Sequence, residues 1–231
     1  IFQELSVYEN LMMGAYTVRD QQKFKEDLES IYERFPRLAE VEAALEEKMA
    51  KAAAEGVPVD SITFSGNGEP TMNPDFPQII DATLRLRDRF FPQAKVSVLS
   101  NATLVGRKSV AEALMKVDNP ILKIDAASDE AVQKINKPVG HYCLDEVVEN
   151  MKAFNGNFVL QTMFLRSPDL DQRDTLDQWR CLVRKLKPRE TMVYTIDRET
   201  PDKSLEKYTV EEMTEFVKPL LDEGYVIQIR G

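Results

Sequence analysis

The sequence predicts an α/β fold, a partial (β/α) barrel of about six mostly parallel strands preceded by a helical N-terminal segment. Two observations lead to this prediction. From residue 60 onward, short apolar runs alternate with longer segments whose apolar residues recur at helical spacing. Before residue 40 the apolar spacing is helical throughout. We therefore divide the chain into a helical segment, residues 1–40, and a barrel domain, residues 41–231.

The bulk composition is typical of a soluble globular protein. The 231 residues are 43% hydrophobic and 30% charged, and the formal net charge is −9. Nonspecific nucleic-acid binding needs basic surface, so nucleic acid is not an expected partner. No apolar run approaches the roughly 20 residues of a membrane span, and no signal peptide is evident. Two cysteines without a pairing pattern predict a reducing, cytoplasmic location.

The N-terminal part is predicted to form three helices. Ser6 and Glu9 make a capping box that opens a short first helix. The second helix spans residues 20–34 and is stopped by Pro36, because proline cannot continue a helix. The third helix covers residues 40–55 and leads into the barrel domain.

Strands and helices alternate through the rest of the chain. The predicted strands cover residues 62–65, 95–99, 121–125, 158–164, 192–196 and 225–230. The predicted helices cover residues 76–90, 108–116, 128–136, 144–154, 171–186 and 209–222. Along several strands, apolar residues alternate with mixed polar ones. One face is therefore expected to pack on helices, while the other lines a ligand-holding interior or forms a solvated sheet surface.

The clearest candidate site follows the first barrel strand directly, in the run Gly66-Asn67-Gly68-Glu69-Pro70. Ligands of α/β folds bind at the carboxyl ends of strands, which is where this run lies. Its glycines permit positive φ and a close approach of a ligand to the backbone. The carboxylate of Glu69 can accept hydrogen bonds from an ammonium group. The alternative is a tight turn with a merely solvated glutamate.

Polar residues also stand at the ends of later strands. Ser100 and Asn101 would bond a ribose or a carboxylate, or would form an Asx turn before the next helix. Lys123 and Asp125 lie two residues apart on one strand and hence on one face. This pair would serve a ligand or form an internal salt bridge. Gln161 adds to the polar residues of the same sheet face.

A run of charges, Asp197-Arg198-Glu199, ends the fifth barrel strand. It would bind a polar substrate, or it would form a solvated loop with a local ion pair. The two cysteines, Cys143 and Cys181, lie far apart and match no iron–sulfur or zinc spacing. We therefore expect no metal ligands in this chain.

Taken together, these segments resemble the radical S-adenosylmethionine (SAM) enzymes from about residue 41 to residue 231. The resemblance is carried by ITFSGNGEPTMNPDF, KVSVLSNAT, ILKIDA, LQTMFLRS, VYTIDRETP and YVIQIRG. The GNGEP run is similar to the family's glycine-glycine-glutamate motif, which binds the amino group of SAM. The resemblance therefore assigns Gly66, Gly68 and Glu69 to SAM, with Asn67 in the same loop.

The same resemblance implies roles for the later strands. Ser100 and Asn101 stand where the family often contacts the ribose or carboxylate of SAM. Asp125 and Gln161 line the same mouth and would contact SAM or the substrate. We place Lys123 and the charged residues at 197–199 nearer the substrate, a small molecule of unknown identity.

One part of the family pattern is missing. The family carries Cys-x-x-x-Cys-x-x-Cys after its first strand, and these thiolates hold a [4Fe–4S] cluster that cleaves SAM to a 5′-deoxyadenosyl radical. Residues 1–38 stand in its place. We therefore expect a barrel without its first strand, whose open edge is the strand at 62–65. For this polypeptide we expect no radical catalysis, which leaves non-catalytic binding of SAM or another adenosyl compound as the alternative.

Residues 1–38 carry a resemblance of their own. IFQELSVYENLMMGAYTVRD and LESIYERFPRL are similar to part of the ATP-binding subunit of a branched-chain amino-acid ABC transporter. No phosphate-binding loop is present, so this resemblance implies an interaction helix rather than ATP hydrolysis. A junction near residues 38–41 between two unrelated genes accounts for both resemblances. The first residue, Ile1 rather than methionine, also favours a fragment, a processed product or a fusion.

Overall fold

A computed structural model describes residues 37–65, 68–138, 140–168, 170–197 and 203–231, with side chains from residue 41 onward. The chain divides into two compact units. The first unit extends to Val98 and includes Glu112–Asp118. The second unit consists of Leu99–Ala111 and Asn119–Gly231. The first two predicted helices and most of the segment that resembles an ABC transporter lie outside the described residues.

Two α-helices, a short 3₁₀ helix and two strands form the described part of the first unit up to Val98. Helix α1 (Arg37–Ala54) leads into strand β1 (Ser61–Phe64). A short 3₁₀ helix (Pro70–Met72) connects β1 to helix α2 (Phe76–Phe90), which is followed by strand β2 (Lys95–Ser100). β1 pairs in parallel with β2. The predicted boundary at residue 40 falls inside α1, which continues through it without a break.

Helix α2 has one apolar face and one charged face. Phe76 and Ile80 lie on the apolar face and are fully buried. On the charged face, Arg85 forms an ion pair of 2.9 Å with Glu42 of α1. Exposed ion pairs of this kind contribute only about 0–1 kcal/mol. The burial of the apolar face therefore holds the unit together.

The rest of the chain alternates between helices and strands. In chain order the elements are α3 (Lys108–Lys116), β3 (Asn119–Lys123), α4 (Asp129–Ile135), α5 (Leu144–Met151), β4 (Val159–Met163), β5 (Leu165–Ser167), β6 (Leu170–Asp171), α6 (Leu176–Leu186), β7 (Glu190–Tyr194), β8 (Glu206–Lys207), α7 (Val210–Asp222) and β9 (Ile227–Arg230). In the second unit β3, β4, β7 and β9 pair in parallel in that order. β5 pairs antiparallel with β6 and β8.

The predicted class, an α/β fold with about six mostly parallel strands, is confirmed. Helices α2 and α3 have the predicted bounds. The small antiparallel sheet of β5, β6 and β8 was not predicted. Strands of two or three residues are too short to show an alternation of apolar and polar residues. None of the described helices is long and apolar enough to cross a membrane.

Strands β3, β4 and β7 of the second unit have two different faces. The face that packs on helices is fully buried and carries Leu122, Leu160, Thr162, Thr191 and Val193. The opposite face is half-buried and carries Ile121, Lys123, Gln161, Met163, Met192 and Tyr194. The predicted division into an apolar face and a mixed polar face is therefore present in this unit. The mixed face presents the polar residues described below.

The amino ends of β4 and β7 are joined through the backbone. The carbonyl of Gly156 accepts a hydrogen bond of 2.7 Å from the amide of Arg189. Gly156 has a φ of 77°, and a Cβ at this position would lie 2.4 Å from the carbonyl oxygen of Lys187. This approach is far too close for any side chain, so only glycine is compatible with the junction.

Candidate ligand-binding site

The predicted SAM-binding run lies in the first unit, at the carboxyl end of β1. Gly68 has a φ of 145°, a conformation that favours glycine. The half-buried Glu69 caps the following 3₁₀ helix, because its Oε1 accepts from the amide of Thr71 at 3.1 Å and from the Thr71 hydroxyl at 2.5 Å. The carboxylate is therefore oriented by its own turn. Gly66 and Asn67 lie outside the described residues.

The predicted residues Ser100 and Asn101 form a polar turn in the second unit. Ser100 is 3% exposed, and its hydroxyl accepts from the amide of Ala102 at 3.1 Å. The Oδ1 atom of the exposed Asn101 accepts from the amide and the hydroxyl of Thr103, at 3.0 and 2.7 Å. The Asx turn considered as an alternative is therefore present. Of the two side chains, only Asn101 lies at the surface.

Lys123 and Asp125 form the predicted salt bridge, with 2.6 Å between Nζ and Oδ2. The side chain of Asp125 is 1% exposed and that of Lys123 is 27% exposed. Oδ1 of Asp125 accepts from the amide of Met163 at 3.0 Å, and Oδ2 accepts from Nδ2 of Asn136 at 2.7 Å. Both oxygens of this carboxylate are thus engaged inside the protein, as the burial of a charge requires.

Tyr194, at the end of β7, belongs to this group because it and Lys123 influence each other's pKa. Burial alone lowers the pKa of Lys123, but the charge of Asp125 and the contacts with Tyr194 outweigh it and raise this pKa. Burial raises the pKa of Tyr194. At neutral pH the group therefore holds a charged ammonium and a protonated phenol, which are both hydrogen-bond donors. Gln161 stands beside Lys123 in the register of β3 and β4.

Gln172 holds the loops that follow β3 and β4 together. It is 2% exposed, and its Nε2 donates to the carbonyl of Asp125 and, at 3.3 Å, to that of Met163. Its Oε1 accepts from the amide of Leu165 at 2.5 Å. Sequence reasoning missed Gln172, Asn136 and Tyr194. Each acts through residues that are distant along the chain, and no local pattern marks them.

The charged run after β7 is described only in part. Asp197 is exposed, whereas Arg198 and Glu199 lie outside the described residues. Of the predicted site residues, the structure thus brings Lys123, Asp125 and Gln161 together on one sheet face.

The sequence model of the radical SAM superfamily matches residues 22–178. The chain belongs to the radical SAM superfamily. The match begins inside the segment that we compared with an ABC transporter, and it includes β1, β2, β3 and β4 with the loops that follow them. The superfamily implies SAM and an iron–sulfur cluster as cofactors.

Curated relatives agree with this assignment. A UPF0026 protein of Synechocystis is 29% identical over 153 residues, which are 64% of this chain and 54% of the relative. A UPF0026 protein of Methanocaldococcus jannaschii is 25% identical over 178 residues, which are 75% of this chain and 53% of the relative. The chain spans about half the length of these relatives.

Solved structures share the fold. SuiB of Streptococcus suis bound to its precursor peptide SuiA has a TM-score of 0.61 at 17% identity, covering 81% of this chain and 42% of that one. SuiB bound to SAM has a TM-score of 0.56. A radical SAM methyltransferase of Sphaerobacter thermophilus has a TM-score of 0.59 at 15% identity, covering 79% and 54%.

The side chains of this polypeptide do not suit an iron–sulfur cluster. A cluster of this family takes three cysteine thiolates, whereas these 231 residues contain two cysteines in all. Cys143 precedes α5 and is half-buried, and Cys181 is exposed on α6. Within the described ranges, no three His, Cys, Asp or Glu side chains are grouped to hold a metal ion. These residues therefore do not supply the ligands of such a cluster.

Proposed function

We propose that this chain is a SAM-binding domain of the radical SAM superfamily, in which Glu69 binds the amino group of SAM. The observation that carries the proposal is the turn of Gly68 and Glu69 at the carboxyl end of β1, in a chain that belongs to this superfamily. Ligands of α/β folds bind at this end of the strands.

The geometry of the turn suits an ammonium group. Gly68 has no side chain, so a ligand can approach the backbone closely at this position. The two hydrogen bonds from Thr71 hold the carboxylate of Glu69 in one orientation before a ligand arrives. A carboxylate that is already oriented loses less side-chain entropy on binding. A charge-assisted hydrogen bond to an ammonium contributes about 1.5–3 kcal/mol.

We assign the residues of the second unit to two roles. Asn101 is exposed and would contact the ribose or carboxylate of SAM, while the buried Ser100 shapes the turn that presents it. Gln161 and Lys123, on the half-buried sheet face, would contact SAM or the substrate. Asp125 would act through Lys123, because both of its oxygens are engaged inside the protein.

The residues at 197–199 are assigned to the substrate, whose identity stays open. Asp197, the described residue of this run, is exposed. SuiB, one of the structural neighbours, was solved with a precursor peptide. A small molecule remains our prediction for this chain, and so does a cytoplasmic location.

Reductive cleavage of SAM needs the cluster, and its thiolate ligands are not among these residues. We therefore propose that this polypeptide alone binds SAM without cleaving it. Anaerobic reconstitution with iron and sulfide is expected to give no visible absorption band of an iron–sulfur cluster. The appearance of such a band would contradict this part of the proposal.

Isothermal titration of SAM into the purified chain tests the binding role. We expect the Glu69→Gln variant to bind SAM at least about tenfold more weakly, because it loses the charge that faces the ammonium. The matched control is Glu215→Gln, which removes an exposed glutamate of α7 and is expected to leave the affinity unchanged. A second control uses 5′-methylthioadenosine, which lacks the α-amino group of the methionine part of SAM. Its affinity should be the same for the Glu69→Gln variant and for the parent chain.

Two results would contradict the assignment of Glu69. One is the absence of SAM binding to the parent chain. The other is an equal loss of affinity for SAM and for 5′-methylthioadenosine in the Glu69→Gln variant. That second result would indicate a disturbed fold rather than a lost ion pair.

The resemblance of residues 1–38 to an ABC transporter subunit remains a separate prediction. Its residues lie almost wholly outside the described part of the chain, and the superfamily match overlaps it from residue 22 onward. The corresponding role would be that of an interaction helix. Loss of a transporter partner in a pull-down after removal of residues 1–38 would support it, and unchanged partners would contradict it.

A further inference from the structure

A cavity of about 380 Å³ opens within the second unit, between helix α4 and the hairpin of β5 and β6. Its volume lies in the range of about 300–1,000 Å³ that is typical of small-molecule sites. The walls belong to the segments that follow β3 and β4 in the chain. The cavity is therefore at the carboxyl ends of parallel strands, where α/β folds bind their ligands.

The walls of this cavity are held in place by hydrogen bonds, one of which is buried. Gln172, directly beside the lining, ties the loop after β3 to the loop after β4. Asp171, a lining residue, accepts from Nε of Arg173 at 2.9 Å and from the hydroxyl of the buried Tyr208. A cavity whose walls are fixed in this way is formed before a ligand binds, which lowers the entropic cost of binding.

Among the described residues, the lining carries one negative charge that no other described residue neutralises. Glu130 is paired with Lys134 at 2.9 Å, and Asp171 is paired with Arg173. The carboxylate of Asp174 also lines the cavity, and it makes no hydrogen bond or ion pair with any residue that the structure describes. Within the described part of the lining, the unbalanced charge therefore comes from Asp174.

The rest of the lining combines hydroxyl groups with apolar surface. Ala131, Pro168 and Leu170 supply the apolar part. Ser167 contributes a hydroxyl group for which no partner is found among the described residues. A ligand that suits this lining has a short apolar body, one positive charge and a donor for a hydroxyl or carboxylate oxygen.

We propose that this cavity is a second binding site, which takes a small monocation: a primary ammonium or guanidinium on a short apolar chain. Asp174 would form the ion pair with its charged head, and Ala131 and Leu170 would contact its apolar body. The site is distinct from the proposed SAM site, because none of the residues that we assign to SAM is among its lining residues.

Titration of the full chain with three probes of one shape tests the proposal. The probes are n-pentylamine, 1-pentanol and pentanoate, whose head groups are cationic, neutral and anionic at pH 7. Backbone amide shifts in NMR spectra would report both location and affinity. We expect pentylamine to shift the amides of Ala131, Leu170 and Thr175 and to bind about tenfold more tightly than pentanol. Pentanoate is expected to bind most weakly.

Two variants locate the site and its charge. Asp174→Asn is expected to abolish the preference for pentylamine over pentanol, whereas Asp145→Asn, which removes an exposed carboxylate of α5 away from the cavity, is expected to preserve it. Ser167→Leu would fill part of the cavity and is expected to weaken both pentylamine and pentanol. Thermal unfolding of each variant establishes that it is folded.

Three outcomes would overturn the proposal. In the first, none of the probes shifts the amides around the cavity of the parent chain. In the second, pentylamine and pentanol bind with equal affinity. In the third, a folded Asp174→Asn variant keeps the full preference for pentylamine. Each of these results is independent of whether the chain binds SAM, so the two proposals can fail separately.

Discussion

Two carboxylates stand just beyond parallel strands, one in each unit, and they are held in opposite ways. Asp125, two residues after β3, has a side chain that is 1% exposed; besides its ion pair with Lys123, it accepts hydrogen bonds from Asn136 and Met163, which are 11 and 38 positions away in the sequence. Glu69, which follows β1, is half-buried and accepts from Thr71, two residues along the chain. The first carboxylate organises the fold, whereas the second is the one that we propose to bind an outside partner.

This difference gives a way to separate structural from ligand-binding carboxylates in similar sheets. For a carboxylate with distant buried donors, the hydrogen bonds from those donors offset the cost of removing it from water, and they stabilise the fold. A carboxylate held by its own turn can be replaced with little loss of stability. Substitution of a carboxylate of the first kind should therefore lower the free energy of unfolding more. Substitution of a carboxylate of the second kind should weaken ligand binding more.

The largest effect is expected for Asp125→Asn. This substitution leaves the ammonium of Lys123 without its buried counter-charge, so we expect the free energy of unfolding to fall by about 3 kcal/mol. Urea denaturation at pH 7 would measure the change. Asp145→Asn on the surface of α5 is the control and should change stability by less than about 0.5 kcal/mol.

A double substitution sharpens this result. Asp125→Asn combined with Lys123→Met removes both charges, so it should cost less than the sum of the two single substitutions. A loss below about 1 kcal/mol for Asp125→Asn alone would mean that Asp125 is not a structural anchor.

An intermediate effect is expected for Asp171, which is held by its neighbour Arg173 and by the distant Tyr208. The hydrogen bonds from Arg173 lower the pKa of Asp171, against the effect of burial, and Tyr208 adds to the shift. Since the folded pKa is depressed, the stabilisation is present above the ordinary pKa of about 4 and is lost as pH falls below it. Asp171→Asn should cost about 1–2 kcal/mol at pH 7.

The sign of this pH dependence can be checked directly. Guanidinium unfolding at pH 7, 5 and 3 should show the gap between the parent chain and Asp171→Asn narrowing at the lowest pH. A gap that stays constant or widens toward pH 3 would show that the charge of Asp171 does not stabilise the folded state.

The smallest effect on stability is expected for Glu69→Gln. Glutamine keeps an acceptor for the amide and hydroxyl of Thr71, so the free energy of unfolding should change by no more than about 0.5 kcal/mol. Thermal unfolding without ligand would measure this. If Glu69→Gln lowered the free energy of unfolding as much as Asp125→Asn, the two carboxylates would both be structural. That result would contradict the binding role of Glu69.

Much of the fold could be predicted from local patterns. Helix α2 shows apolar residues at helical spacing with Pro77 at its start, and its bounds were predicted correctly. The parallel strands were found near their predicted places because each is a short apolar run between helices. The pairing of Lys123 with Asp125 was one of two predicted outcomes, since two residues of spacing on a strand place them on one face.

The parts that escaped prediction depend on long-range geometry. Gln172 looks like an ordinary polar residue at a helix start, yet it is 2% exposed and bonds the carbonyl of Asp125 from 47 positions away. Tyr194 reaches Lys123 from a strand that is not its neighbour in the sequence. The hairpin of β5 and β6 is defined by two paired positions, which are too few to produce a recognisable sequence pattern.

The glycine at position 156 sets a limit on how this sequence can evolve. Relatives retain the family while differing at about seven positions in ten, so most sites are open to drift. At position 156 even the smallest side chain would collide with the carbonyl of Lys187. In a library randomised along the whole chain, selection for folding alone would return glycine there, however freely the loops at the other end of the strands had diversified.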